Sequence, residues 1–195
     1  MSNNIQQQTT INIQEKANLI WAIADKLVGV YKPHEYGNVI LPMCVIKRFE
    51  DTLAPTKQAV LDTNAKLDKD GIVVKKGFLE TAAGQQLYNL SPFTFQSLLN
   101  DPENIKENFE SYLNHFSENV IDIIHRMDFD RELQKMADNN VLYLVIKEFC
   151  TSKAYLGADL VTSVDMGYIF EELVRKFSES YDEQAGAHFT ARDII

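Results

Sequence analysis

From Ile13 to Val28 the apolar residues Ile13, Ala17, Ile20, Trp21, Ala24, Leu27 and Val28 recur at intervals of three and four. Positions so spaced share one face of a 3.6-residue helix, so the segment is predicted to be an amphipathic helix. "GVYKPHEYG" follows, with the glycines and the proline of a connecting turn. Val39, Met43, Ile46, Phe49 and Leu53 then repeat the helical spacing, with Pro42 near the start, where a proline either sits in the first turn or kinks a longer helix. "PTKQAVLDTNAKLDKDG" predicts a third, more polar helix that stops at Gly71, and the short "IVVKKG" suits an extended piece.

Shorter helical patterns follow at roughly 79–89, 94–99, 102–115, 118–126, 129–138 and 140–150. Asp101-Pro102 and Ser117-Glu118 have the form of N-cap and first-turn pairs. No alternating strand pattern persists and no repeat of fixed period is present. Residues 1–160 are therefore predicted to form an all-α, irregular multi-helix domain.

Around "LGADLVTSVDMG" the chain becomes small and polar, as a linker does. Asp165 is placed to cap a helix from Met166 to about Ser180, with Ile169, Phe170, Leu173, Val174 and Phe177 as its apolar stripe and a Glu171–Arg175 pair one turn apart. In the tail "YDEQAGAHFTARDII", Gly186 suits a helix exit. Thr190, with Asp193 three residues on, suits the N-cap of a new helix whose buried face opens with Ile194 and Ile195.

Composition narrows the class. With 195 residues and 45% hydrophobic residues the chain can bury a substantial core. Its longest apolar runs, such as "VLYLVI", are too short for a membrane span, and "MSNNIQQQTT" lacks the basic and apolar regions of a secretory signal, so a cytoplasmic protein is expected. The net charge is −9; residues 1–70 hold eight Lys/Arg against eight Asp/Glu, so the whole acidic excess lies after position 70. That balance argues against a free-standing nucleic-acid binder, which needs surplus cations to displace counterions from phosphates. Three adjacent basic pairs, Lys47-Arg48, Lys75-Lys76 and Arg175-Lys176, are candidates for local phosphate contact or for ordinary solvated faces.

Candidate chemistry is sparse. Cys44 and Cys150 belong to no metal-ligand spacing and read as free thiols, and no metal site is expected. His34-Glu35 are adjacent and point apart, and His115 and His125 fall on separate predicted helices, so packing or surface roles are expected. Trp21, among apolar neighbours, is expected to anchor the core rather than stack on a base.

Three stretches, "LIWAIADKLVGVYKPHEYGNVILPMCVIKRFEDTLAPTK" (19–57), "DMGYIFEELVRKFSE" (165–179) and "GAHFTARDII" (186–195), resemble, in order, the methyltransferase (M) subunit of type I restriction-modification systems. The resemblance implies a helical N-terminal domain followed by a Rossmann-like domain that transfers a methyl group from S-adenosylmethionine to adenine N6 in DNA. Residues 161–195 would be the linker helix and the truncated start of that domain. The family's GxxFTPR-like stretch lines the cofactor site, which implies Ala187, His188, Phe189, Thr190, Ala191 and Arg192 as cofactor-binding residues. The pattern usually has Glu or Gln at Ala187 and Pro at Ala191; alanine at 191 keeps a helix start but loosens it.

The family's glycine-rich loop and NPPF-type motif, which holds the flipped adenine, appear nowhere in these 195 residues. No catalytic residue is therefore expected in this segment, which by itself is expected not to methylate. The resemblance further implies as partners a specificity (S) subunit that reads DNA, a second M subunit, an optional restriction (R) subunit and double-stranded DNA, with this segment serving DNA contact and assembly. The alternative is a non-catalytic helical module that binds other proteins, which the acidic second half also suits.

Overall fold

A computed structural model describes the backbone of residues 13–190 and the side chains of residues 13–181. Among the described residues the fold is all-α: helices joined by short 3-10 turns, two isolated β-bridges and no strand. Helix α1 occupies 13–22 and passes into a 3-10 turn, Ile23–Lys26. Then come α2 (Tyr36–Leu53), α3 (Lys57–Lys69), α4 (Lys76–Ala83), the single-turn α5 (Phe95–Leu98), α6 (Ile105–Asn114), α7 (Glu118–Arg126), α8 (Phe129–Asp138), α9 (Leu142–Phe149) and α10 (Ser163–Thr190). No described helix is long and apolar enough to cross a membrane.

Helix α2 is the central element. Its residues Val39, Ile40, Met43, Cys44 and Ile46 have no exposed surface, and they pack in one core with Ile20 and Leu27, Phe109 and Tyr112, Phe129 and Leu133, and Val145, Ile146 and Phe149. Pro42 lies inside α2 rather than in its first turn, because the helix already begins at Tyr36, behind the 3-10 turn Pro33–Glu35. Aromatic rings fill the space between α2, α5, α6 and α8: Phe95 meets Phe109 and Tyr112 edge-on, and Phe109 meets Phe129.

The joints are tight. Asp128 (φ 51°) precedes α8 and Asn140 (φ 57°) follows it, both in the left-handed region that Asp and Asn tolerate better than most residues. Ser117 precedes α7 as expected, although its hydroxyl faces the Tyr88 amide and not its own helix. The pattern expected at 79–89 is displaced, since α4 spans Lys76–Ala83 and ends on left-handed Gly84.

Helices α3 and α4 form a hairpin with its own small core of Val60, Leu67, Leu79 and Ala83. Gly71 (φ 70°) ends α3, and the Ile72 amide donates back to the Leu67 carbonyl at 2.9 Å.

Helix α10 differs most from expectation. It starts earlier, at Ser163, because Thr162 and Asp165 cap reciprocally: the Thr162 amide donates to Asp165 Oδ2 at 2.9 Å and the Asp165 amide to Thr162 Oγ1 at 3.1 Å. It also runs through Gly186 to Thr190, so Thr190 falls at the end of this helix instead of capping a new one. One glycine costs a helix only about 1 kcal/mol, too little to end one whose neighbours favour it. Met166, Ile169 and Leu173 are buried in the same core as α2, and Phe177 reaches Trp21, with ring centroids 5.2 Å apart.

Candidate functional site

The basic pair Lys47-Arg48 turns inward. The Lys47 ammonium lies 2.6 Å from Asp51 Oδ1, one turn on, and 5.7 Å from the centre of the Phe95 ring; Lys47 is 8% and Asp51 5% exposed. Asp51 Oδ2 accepts from the Leu156 amide at 2.8 Å. The Arg48 guanidinium donates to the carbonyls of Leu156 and Val161. From α1, Lys16 donates to the carbonyls of Lys153 and Tyr155 at 3.3 and 2.8 Å. Burial pulls Lys16 and Arg48 below their ordinary pKa values, while Asp51 counteracts it in both. The pair is thus not an ordinary solvated face, because Lys47 is taken up by the Asp51 carboxylate and Arg48 by the backbone carbonyls of Leu156 and Val161.

The other basic pairs are partly neutralised. Lys75 donates to Asn64 Oδ1 at 2.9 Å and to Asp68, across the α3–α4 hairpin. Lys76 stays largely exposed, 3.9 Å from Glu80. Arg175 binds Glu172 at 2.8 Å and also Glu179, so the expected Glu171–Arg175 pair is replaced by partners three before and four after.

Between α3 and α4 the hairpin tip exposes a run of apolar side chains: Ile72 40%, Val73 89%, Val74 81% and Phe78 56%. Apolar side chains exposed side by side are a feature of interaction surfaces.

Acid and base candidates are structural. Glu35 accepts from the Lys32 amide at 2.7 Å and from Lys135 at 3.3 Å; the amide's bond above all holds its carboxyl below the ordinary range against the opposing effect of burial, with Lys135 adding to it. His34 packs edge-on to Tyr181 at 6.3 Å. His115 Nδ1 contacts the Ser111 carbonyl at 2.6 Å, and His125 lies 3.5 Å from Asp130 on the surface. Trp21 packs between Tyr36 and Phe177, as a core anchor should. Among the described residues no group of His, Cys, Asp and Glu is arranged to hold a metal ion.

Of the residues expected to bind S-adenosylmethionine, Ala187, His188, Phe189 and Thr190 fall within the last turns of α10, where the backbone alone is described. Ala191 and Arg192 lie outside the described residues.

Several organising residues had no part in the sequence reading. Asp51 was visible only as a helical neighbour of Lys47. Glu50, whose oxygens accept from the Phe95 amide at 3.0 Å and the Tyr112 hydroxyl at 2.6 Å, carries no signal of burial in an acidic-looking "FED". Lys16 bonds 137 and 139 residues away, beyond any local pattern.

One of three comparisons with known proteins found a match. The family described as the HsdM N-terminal domain matches residues 16–149, which spans α1 to the end of α9. No curated protein and no solved structure gave a significant match. With most of its length covered by that family, the chain belongs to it and carries the N-terminal region of an HsdM-type M subunit of type I restriction-modification systems.

Proposed function

We propose that the chain works within a cytoplasmic DNA methyltransferase that moves a methyl group from S-adenosylmethionine to adenine N6, with sequence reading left to an S subunit. The observation that carries this is the HsdM N-terminal domain across residues 16–149. Within such an enzyme the segment serves assembly with S and a second M subunit and contact with double-stranded DNA, and an R subunit is an optional further partner. The inward use of Lys16, Lys47 and Arg48 in a chain of net charge −9 favours DNA contact made jointly with a partner over contact by this segment alone.

Ala187 to Arg192 would approach the cofactor, with the Phe189 ring available to pack on it. The segment alone would bind S-adenosylmethionine weakly and would not methylate. The test is DNA retention by the chain with and without S across a salt series. Binding that appears only with S and weakens with salt supports the proposal, and tight DNA binding by the chain alone at physiological salt sinks it.

A second reading, a protein-interaction module without catalytic duty, is favoured by the exposed tip Ile72, Val73, Val74 and Phe78. It predicts capture of a protein partner in the absence of DNA and S, lost on Val73→Lys.

A further inference from the structure

Leu156 is held by both of its backbone groups. Its amide donates to Asp51 and its carbonyl accepts from Arg48, and these two side chains stand three apart on α2. Arg48 also takes the Val161 carbonyl, and Lys16 takes those of Lys153 and Tyr155. Three ionic side chains from two helices therefore grip one irregular stretch at both its ends.

Burial of Ala154, Leu156 and Val161 also holds this stretch. Apolar burial is non-directional, however, and a chain slipped by one residue can bury similar area. Hydrogen bonds to named amides and carbonyls do not survive such a slip. Asp51 is buried and Lys16 and Arg48 are half-buried; ionic groups so placed add little net stability, and in some proteins they select one arrangement over its neighbours.

The stretch itself is shaped to be gripped. A Cβ on Gly157 would run into the Tyr155 hydroxyl and the Asp159 carboxylate, so both side chains would have to move to admit another residue there, and the Tyr155 hydroxyl donates to Asp159 at 2.6 Å. The Leu160 and Val161 amides then turn back to the Gly157 carbonyl at 3.2 and 2.9 Å, and the Thr162–Asp165 cap opens α10 one residue later.

We infer that Lys16, Arg48 and Asp51 are positioning residues that fix the register at which the chain enters α10, and with it the rotation and height of α10 against α1 and α2. The catalytic consequence rests on the function proposed above: α10 ends on the residues assigned to the cofactor, so its setting would orient them relative to this domain.

The test is amide hydrogen exchange on the 195-residue chain with Arg48→Met and, separately, Lys16→Met, which keep the apolar stem and remove the donors. Exchange in 153–166 is expected to rise about tenfold or more while α6, α8 and α9 stay protected. Unchanged exchange in 153–166, or an equal rise in every helix, overturns the inference. Should Arg48→Met fail to fold, Arg48→Lys, whose ammonium stops one bond short of the guanidinium nitrogen that bonds Leu156 and Val161, is expected to give an intermediate rise; wild-type exchange in it overturns the inference. In a complete M subunit assembled with S, Arg48→Met is expected to lower the methylation kcat about tenfold with S-adenosylmethionine affinity unchanged. An unchanged kcat overturns the catalytic consequence. A wild-type complex that does not methylate sinks the methyltransferase reading, while the exchange result still decides the register lock.

Discussion

The Tyr112 hydroxyl, on α6, donates to Glu50 Oε2 of α2 at 2.6 Å, while Oε1 of the same carboxylate accepts from the Phe95 amide at 3.0 Å. One acidic side chain thereby ties α2 to α6 and caps α5. Burial first, and the Glu50 charge second, hold the Tyr112 hydroxyl protonated well above its ordinary range. Tyr112→Phe keeps the ring and its contacts with Phe95 and Phe116 but strips one donor from a largely enclosed carboxylate. The expected cost is about 1–3 kcal/mol, read as a lower urea midpoint with an unchanged slope.

Lys47 and Asp51 make a sharper pair of predictions. Asp51→Ala leaves a buried ammonium without its anion and the Leu156 amide without its acceptor, at an expected cost of about 3–5 kcal/mol. Lys47→Met with Asp51→Leu removes both charges, so the double variant should recover about half of that loss. About 1–3 kcal/mol should remain for the unpaired Leu156 amide. Chemical denaturation of the single and double variants checks the order.

Neither cysteine should react readily in the folded chain. Burial pushes the Cys44 thiol far above its ordinary range, and Cys150, half-buried, is raised to about 11 by burial in spite of nearby Lys47. A chromogenic disulfide reagent at pH 8 should label Cys150 first and Cys44 last, both more than about a hundredfold slower than in urea. Rapid labelling of Cys44 in the native state would contradict the described core.

Tyr155 supplies a pH dependence. The hydrogen bond it donates to Asp159, with burial adding to it, raises its hydroxyl to about 12. A folded pKa raised above the unfolded value of about 10 means that the folded chain keeps this proton longer. The contribution is therefore complete below about pH 10 and fades as pH rises toward 12. Asp159→Asn should move the Tyr155 transition down, seen by ultraviolet titration of the difference against Tyr155→Phe.

Much of the fold was legible because local periodicity decides it. Helices α7 and α8 fall where the spacing of Val120 and Ile124, and of Phe129, Leu133 and Met136, puts one apolar stripe inward. The Thr162 cap was misread by a few residues, since Asp165 looks like a cap until the threonine is seen to share the role. The inward turn of Lys47 and Arg48 was illegible for a different reason. Lys47 turns to Asp51 one turn on, but the partners of Arg48 are backbone groups more than a hundred residues away, and a backbone carbonyl has no signature in a sequence.

The burial of Ile169 and Leu173 also bears on how the protein is handled at the bench. The small, polar stretch before α10 looks like a natural place to cut, yet a fragment ending at 160 would open a trough along α2 and expose residues that now see no water. Such a fragment is expected to aggregate on purification, whereas one that keeps α10 through Tyr181 should stay monodisperse. The useful unit for crystallisation or binding work is thus set by two side chains of the last helix and not by the composition of the stretch before it.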